Sequence, residues 1–267
     1  FFDKVCSGRK IAFNPNMINM VLTFSRILDP GSKMHTLKNL TGFYGDFDFS
    51  HQDILRFMDI LEENYDEYLS HLFESSNKVI KRNTNVCYFD CTNFYFEKES
   101  EDEDVYDEIT GELIKGLLKY GVSKEHRPNP IVQMGLFMDN QGIPITYELF
   151  PGNTNDCLTY RPNFGRIKKQ FDLGRVISVA DKGMTTGDNI WYTINTPTHD
   201  GYVFSMSIRG AEKSIKDYVL EQEGYEWLGT EYKRKSRKSP RTIQVSSVSG
   251  KKIKKQVNEK QVVFWSE

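Results

Sequence analysis

From residue 85 onward, strand-forming runs and helical patterns follow one another in an order that few folds can accommodate. Val86 to Phe96 is dense in aromatic and β-branched residues and predicts a first strand. Ile131 to Met138 predicts a second, closed by the tight turn Asp139-Asn140-Gln141-Gly142. Ile143 to Phe150 predicts a third, which stops at Pro151-Gly152-Asn153. Helical and strand patterns then alternate: a helix over 157–171, a strand over 176–181, a helix over 186–195, a strand from Tyr202 to Ile208 and a helix from Ala211 to Glu221.

The order β-β-β-α-β-α-β-α predicts an antiparallel hairpin feeding crossover connections into parallel strands. This is the mixed sheet, of the α/β class, of a ribonuclease-H-like core. In such a sheet the first and fourth strands lie side by side at the centre. Each carries an aspartate where strand formers are otherwise expected: Asp90 within Tyr88-Phe89-Asp90-Cys91-Thr92, and Asp181 closing Val176-Ile177-Ser178-Val179-Ala180 before Lys182-Gly183. A carboxylate at the core-facing end of a strand is costly unless its charge is compensated. Two of them brought together suit a divalent cation with oxygen ligands, Mg²⁺ or Mn²⁺. A pair of such ions roughly 3.5–4 Å apart can activate an attacking hydroxyl and stabilise a leaving oxygen. The plainer alternatives are that Asp90 is a structural group bonded to Thr92 or to backbone amides, and that Asp181 caps the helix that follows it.

Residues 1–80 read as a small helical region. Helical periodicity over 10–28 stops at Asp29-Pro30-Gly31, and a helix begins at Ser50 with Asp53 as its capping partner, its apolar face running from Ile54 to Leu72. Residues 81–222 then read as the ribonuclease-H-like core, and 223–267 as the start of a basic, β-rich insertion or of a separate small domain. The net charge of −2 hides a strong polarity. Glu97 to Glu112 holds nine carboxylates against one lysine, without EF-hand spacing, and reads as a mobile loop. Gly229 to Lys260 holds eleven Lys and Arg side chains, among them Lys233, Arg234, Lys235, Arg237, Lys238 and Arg241, against two glutamates. That segment is either a phosphate-binding surface or a solvated hairpin. The four cysteines have no metal spacing and read as reduced core thiols of a cytoplasmic protein. No window is apolar enough for a membrane span. The chain begins Phe1-Phe2-Asp3 and ends just after Val262-Val263-Phe264, which reads as a piece of a longer protein.

Four blocks in order carry a family resemblance. Tyr88-Phe89-Asp90-Cys91-Thr92-Asn93-Phe94-Tyr95-Phe96-Glu97 resembles the first-aspartate motif of DDE transposases from bacterial insertion sequences. Gly121-Val122-Ser123-Lys124-Glu125-His126-Arg127-Pro128 resembles a segment of their IS-four-like group, as does the block from Gly142-Ile143-Pro144 through Phe150-Pro151-Gly152-Asn153-Thr154-Asn155-Asp156. Val179-Ala180-Asp181-Lys182-Gly183-Met184 is similar to its second-aspartate motif. The resemblance covers about residues 85–210. It implies Mg²⁺- or Mn²⁺-dependent cleavage and strand transfer of double-stranded DNA at element ends by a homodimer working at the bacterial nucleoid, with Asp90 and Asp181 as catalytic metal ligands. A nuclease of the same fold without strand transfer, and an inactive remnant that only binds DNA, are the alternatives.

The resemblance also implies a catalytic glutamate within Tyr-x2-Arg-x3-Glu-x6-Lys. This chain has no match: Tyr232 is followed by Lys235 and then Ser239. The expectation is truncation before that glutamate, which would lie beyond Glu267. His126, Arg127, Lys182 and Arg209 are candidate phosphate contacts or solvated charges, His126 and Arg127 being otherwise suited to pair with the acidic loop. Thr92, Asn153 and Asp156 support the site or, for the last two, merely form a turn.

Overall fold

The computed structural model describes residues 1–229 and 231–266, which form two compact units, Phe1–Lys81 and Arg82–Glu267. The first holds five helices: α1 (Phe2–Val5), α2 (Pro15–Leu28), α3 (Lys33–Lys38), α4 (His51–Glu63) and α5 (Tyr65–Val79). α2 starts later than the periodicity suggests. Pro15 takes a first-turn position, where its missing N–H is not needed, and the Asn14 side chain caps the Met17 amide at 3.2 Å. α4 opens on the expected capping box, with Ser50 and Asp53 each bonding the other's backbone amide. The long apolar face expected beyond it is cut at Asn64, which ends α4 and begins α5. Phe2, Ile18, Ile54, Phe57 and Ile60 are buried together as this unit's core.

The second unit contains β1 (Val86–Tyr95), β2 (Val105–Tyr106), β3 (Leu113–Ile114), β4 (Ile131–Met138), β5 (Pro144–Pro151), α6 (Asp156–Gln170), β6 (Ile177–Ala180), α7 (Gly187–Ile194), β7 (Gly201–Phe204), α8 (Lys213–Leu220), β8 (Glu226–Leu228), β9 (Tyr232–Ser246) and β10 (Lys252–Ser266). Five strands make one sheet in the order β5-β4-β1-β6-β7. β1, β4 and β5 pair antiparallel, whereas β6 runs parallel to both β1 and β7. This is the strand order and direction of a ribonuclease-H-like core. One face packs on α6 through an aromatic cluster, with Phe89 and Phe137 rings 4.7 Å apart and Tyr160 stacked on Phe164 at 5.5 Å. Each such side chain, fully buried, contributes about 1.5–3 kcal/mol. Cys87 and Cys91 lie on that buried face as free thiols, and burial pushes them up to about 12 and about 11.

The acidic stretch is not an irregular loop. β2, within it, pairs with β3, directly after it, as a small ladder. Asp102 and Asp104 accept the backbone amides of Leu118 and Gly116 at 3.0 Å, and Lys119 pairs with Asp104 at 2.8 Å. Glu101 and Asp107 likewise accept backbone amides, from Tyr120 and from Ile109 and Thr110. Among the described residues no helix is long and apolar enough to cross a membrane.

The basic segment forms a hairpin of two fifteen-residue strands, β9 and β10, edged by β8. Ile243, Val245 and Val257 pack with Ile190 of α7, which ties the hairpin to the core of this unit.

Candidate active site

The carboxylate pair follows from strand register. β1 and β6 pair as Val86↔Ile177, Cys87↔Ser178, Tyr88↔Val179 and Phe89↔Ala180. One further step of the same register sets Asp90 opposite Asp181, on strands whose axes lie about 4.8 Å apart. Because parallel in-register residues share a face, both carboxylates project on the side opposite Phe89 and Ala180. Both are exposed. The expectation of a core-facing aspartate is corrected here: β1 alternates with period two, and burial of Cys87, Phe89 and Cys91 against α6 forces Asp90 to the other face.

Each carboxylate is oriented by a neighbouring amide. Asp90 Oδ1 accepts from Cys91 N–H at 2.8 Å, and Thr92 takes no part. Asp181 Oδ1 accepts from Gly183 N–H at 2.8 Å and caps the 3₁₀ turn Lys182–Met184, so one of its two oxygens is used in capping. The donor set is oxygen only, facing water, and suits a hard divalent cation. Among the described residues no group of three His, Cys, Asp or Glu side chains gathers as for a metal ion, so a third carboxylate is not assembled beside the pair.

β1 and β6 part at this point. The Ile177 amide bonds the Asn85 carbonyl at 2.8 Å, so the odd-numbered residues along β1 turn their N–H and C=O groups toward β6. Cys91 lies beyond the last paired step, Phe89↔Ala180, and its polar groups open into a notch between the strands. The Lys124 ammonium fills it, donating to the Cys91 carbonyl. Lys124 was not among the charges singled out from sequence, although it belongs to the same block as His126 and Arg127.

Close backbone packing carries Lys124 there. A Cβ on Gly121 would run into the Gly152 carbonyl, and one on Gly152 into the carbonyls of Ile131 and Lys119. Two of the resemblance blocks thus cross through their glycines, as close backbone approach requires. The Asn93 side chain then bonds the Val122 carbonyl at 3.4 Å, laying the 121–128 segment along β1.

The other candidates sort unevenly. Arg127 lies over the Tyr95 ring at 4.9 Å and pairs with Glu125 at 3.6 Å; it does not meet the acidic loop. Five residues along β1 from Asp90 is roughly 16 Å, so Arg127 stands away from the carboxylates. His126 has φ of +55° and its amide closes a turn onto the Ser123 carbonyl at 3.1 Å. Lys182 is exposed directly after Asp181, and Arg209 is exposed past the end of β7. Asp156 opens α6 and accepts from the buried Gln133 side chain; its neighbour Thr159 bonds the Cys91 thiol at 3.0 Å. Asn153 stays exposed in the turn after β5.

The hairpin divides the basic residues by strand parity. Odd positions face inward. Lys235 is 5% exposed and donates to the Glu221 carbonyl, Arg237 lies 4.0 Å from the Tyr218 ring, and Arg241 pairs with Glu259 at 2.8 Å. Lys233 sits among the rings of Tyr225, Trp227 and Trp265. Even positions face out: Arg234, Lys238, Lys254 and Lys260 are exposed, with Lys238 directly opposite Lys260 in the register and Arg234 opposite Phe264. Like charges so placed repel, and a polyanion lying on this face relieves them. Of the six cations singled out there, Arg234 and Lys238 keep that option.

No protein-family profile matches the chain, and no curated protein does. Among solved structures it is similar to the piggyBac transposase synaptic complex with hairpin DNA, at 7% identity and TM-score 0.45, covering 96% of this chain and 55% of that one. It is also similar to the Mos1 mariner paired end complex with Mn, at 11% identity and TM-score 0.28, covering 78% and 70%. The Mos1 transposase paired-end complex with left transposon end gives 13% identity and TM-score 0.23, covering 78% and 56%. The chain therefore spans little more than half of the piggyBac chain. At such identities, its chemistry has to be read from its own residues.

Proposed function

We propose that this chain carries the catalytic core of a DDE transposase of the IS-four-like group, acting by phosphoryl transfer on double-stranded DNA. The observation that carries this is the register that sets Asp90, midway along β1, opposite Asp181 at the carboxyl end of the parallel strand β6, where β1 loses its parallel partner. Asp90 and Asp181 would hold Mg²⁺ or Mn²⁺, which when bound supplies Lewis acidity and a more acidic water. The chain's own part is orientation. The Cys91 and Gly183 amides each hold one carboxylate oxygen, Oδ1 of Asp90 and Oδ1 of Asp181. Arg234, Lys238, Lys254 and Lys260 would hold the DNA backbone without reading sequence. The third carboxylate would come from sequence C-terminal to the β-rich insertion begun by residues 223–267, and pairing of two element ends would require a homodimer.

A second possibility, a remnant that binds DNA without chemistry, is favoured by the absence of a third carboxylate among the described residues. Supercoiled-plasmid nicking in Mg²⁺ and Mn²⁺, with capture of joined products, distinguishes the two. Metal-dependent nicking that vanishes in both Asp90→Asn and Asp181→Asn supports the enzyme, and joined products add strand transfer. Nicking that survives either substitution overturns the assignment. DNA binding with no nicking by the wild-type chain supports the remnant.

A further inference from the structure

We infer that Lys124 is a positioning residue for the phosphodiester at the Asp90–Asp181 notch, an inference that rests on the carboxylate site proposed above. A lysine ammonium has three donors. One is used on the Cys91 carbonyl, on the β6 side of β1 and one residue past Asp90, where no strand is left to satisfy it. Among the described residues that carbonyl is the ammonium's one hydrogen-bond partner, and Lys124 is otherwise exposed. Two donors and a full positive charge are therefore presented to solvent at the mouth of the notch.

The placement is built. The glycine crossing at Gly121 and Gly152 and the Asn93 bond to the Val122 carbonyl fix the backbone on one side of Lys124. The buried Ser123 hydroxyl, which accepts the amides of Glu125 and Arg127 at 3.3 Å, fixes the other. A solvated lysine needs none of this. The ammonium also makes no ion pair with Asp90 or Asp181 among the described residues, so both carboxylates stay free while a cation stands beside them. Two carboxylates and one fixed cation on a strand edge match the mixed charge of a cation-bound phosphodiester: carboxylates toward the metal, ammonium toward a phosphate oxygen.

The test uses the full chain and two probes, Mn²⁺ alone and a duplex oligonucleotide of arbitrary sequence in Ca²⁺. Lys124→Met keeps the methylenes and removes the charge. It is expected to raise Mn²⁺ affinity by on the order of 5-fold, since a like charge leaves the carboxylates' neighbourhood. It is also expected to lower the slope of log affinity for the duplex against log salt by about one, as for a lost phosphate contact. Lys124→Arg should keep both values near wild type. Either readout unchanged in Lys124→Met overturns the inference. So does a loss of Mn²⁺ affinity in Met and Arg variants alike, which marks a purely structural anchor. Asp90→Asn measured alongside separates the two levels: unchanged Mn²⁺ affinity there removes the carboxylate site itself.

Discussion

Two regions of the five-stranded sheet, the start of β1 and β6 and the point where those strands part, treat carboxylates in opposite ways. At the end where β1 and β6 begin, Asp139 and Asp200 are 0% and 3% exposed, and each is fully engaged. Asp139 meets Arg82 at 2.5 Å and takes the amides of Gln141 and Ile143 at 2.9 Å. Asp200 meets Lys168 at 3.0 Å and takes the Val176 amide at 2.7 Å with the hydroxyls of Thr196 and Thr198. Where β6 stops beside the middle of β1, Asp90 and Asp181 are exposed, and each holds a single backbone amide. Carboxylates that seal a fold are spent on it; carboxylates left available where two strands part can serve something outside it.

The comparison is open to direct attack, the largest effect first. Asp90→Asn and Asp181→Asn should each lower metal-dependent nicking by about 10³-fold or more, as expected for loss of a ligand to the reacting centre, while urea midpoints stay near wild type. A large loss of stability in either variant would place these residues with the sealing pair.

Asp139→Ala should do the reverse. It strands the buried Arg82 guanidinium and should cost about 3–5 kcal/mol in denaturant titration. A cost under about 1 kcal/mol would remove the distinction between the two regions.

The acid limb of stability carries the same contrast. Burial pushes the Asp139 carboxyl up, but the Ile143 amide and the Arg82 guanidinium outweigh it and hold it below the usual carboxylate range. Its contribution is therefore complete above the unfolded value, about 3.9, and fades as pH falls through the lower folded value. Stability of the wild-type chain should drop below about pH 4, and less steeply in Asp139→Ala; parallel acid limbs would refute this.

The smallest effect concerns the hairpin. Lys238→Gln should lower the salt slope of duplex binding by about one without changing stability, and Lys235→Gln should destabilise while leaving the slope alone. Equal slopes for both variants would undo the inward and outward sorting.

Much of the fold was legible because each element announces itself locally. The aromatic run at Val86, the turn at Asp139–Gly142 and the alternation from Asp156 onward predict strands and helices that the structure places within a few residues. The helix break at Asn64 was not legible, since the apolar face continues through it without Gly or Pro. Nor was the ladder at the acidic stretch, where backbone amides rather than apolar pattern stabilise the turn structure. For the candidate site, sequence pointed to Asp90 and Asp181 but weighted His126 and Arg127 over Lys124. Three residues of spacing inside a loop carry no rule for which side chain meets the strand.

What the amino-acid sequence determined by itself is therefore local: which segments extend, which coil, where the turns fall, and that two aspartates interrupt strands. Tertiary structure alone decided the rest. Strand register brought residues ninety-one positions apart to one edge, and period-two alternation turned half the hairpin's cations inward against aromatic rings and carbonyls. A crossing of two glycines delivered a lysine to a carbonyl that had run out of sheet. Hydrogen-bond geometry and excluded volume act between segments far apart in the chain, and no window along the sequence contains them.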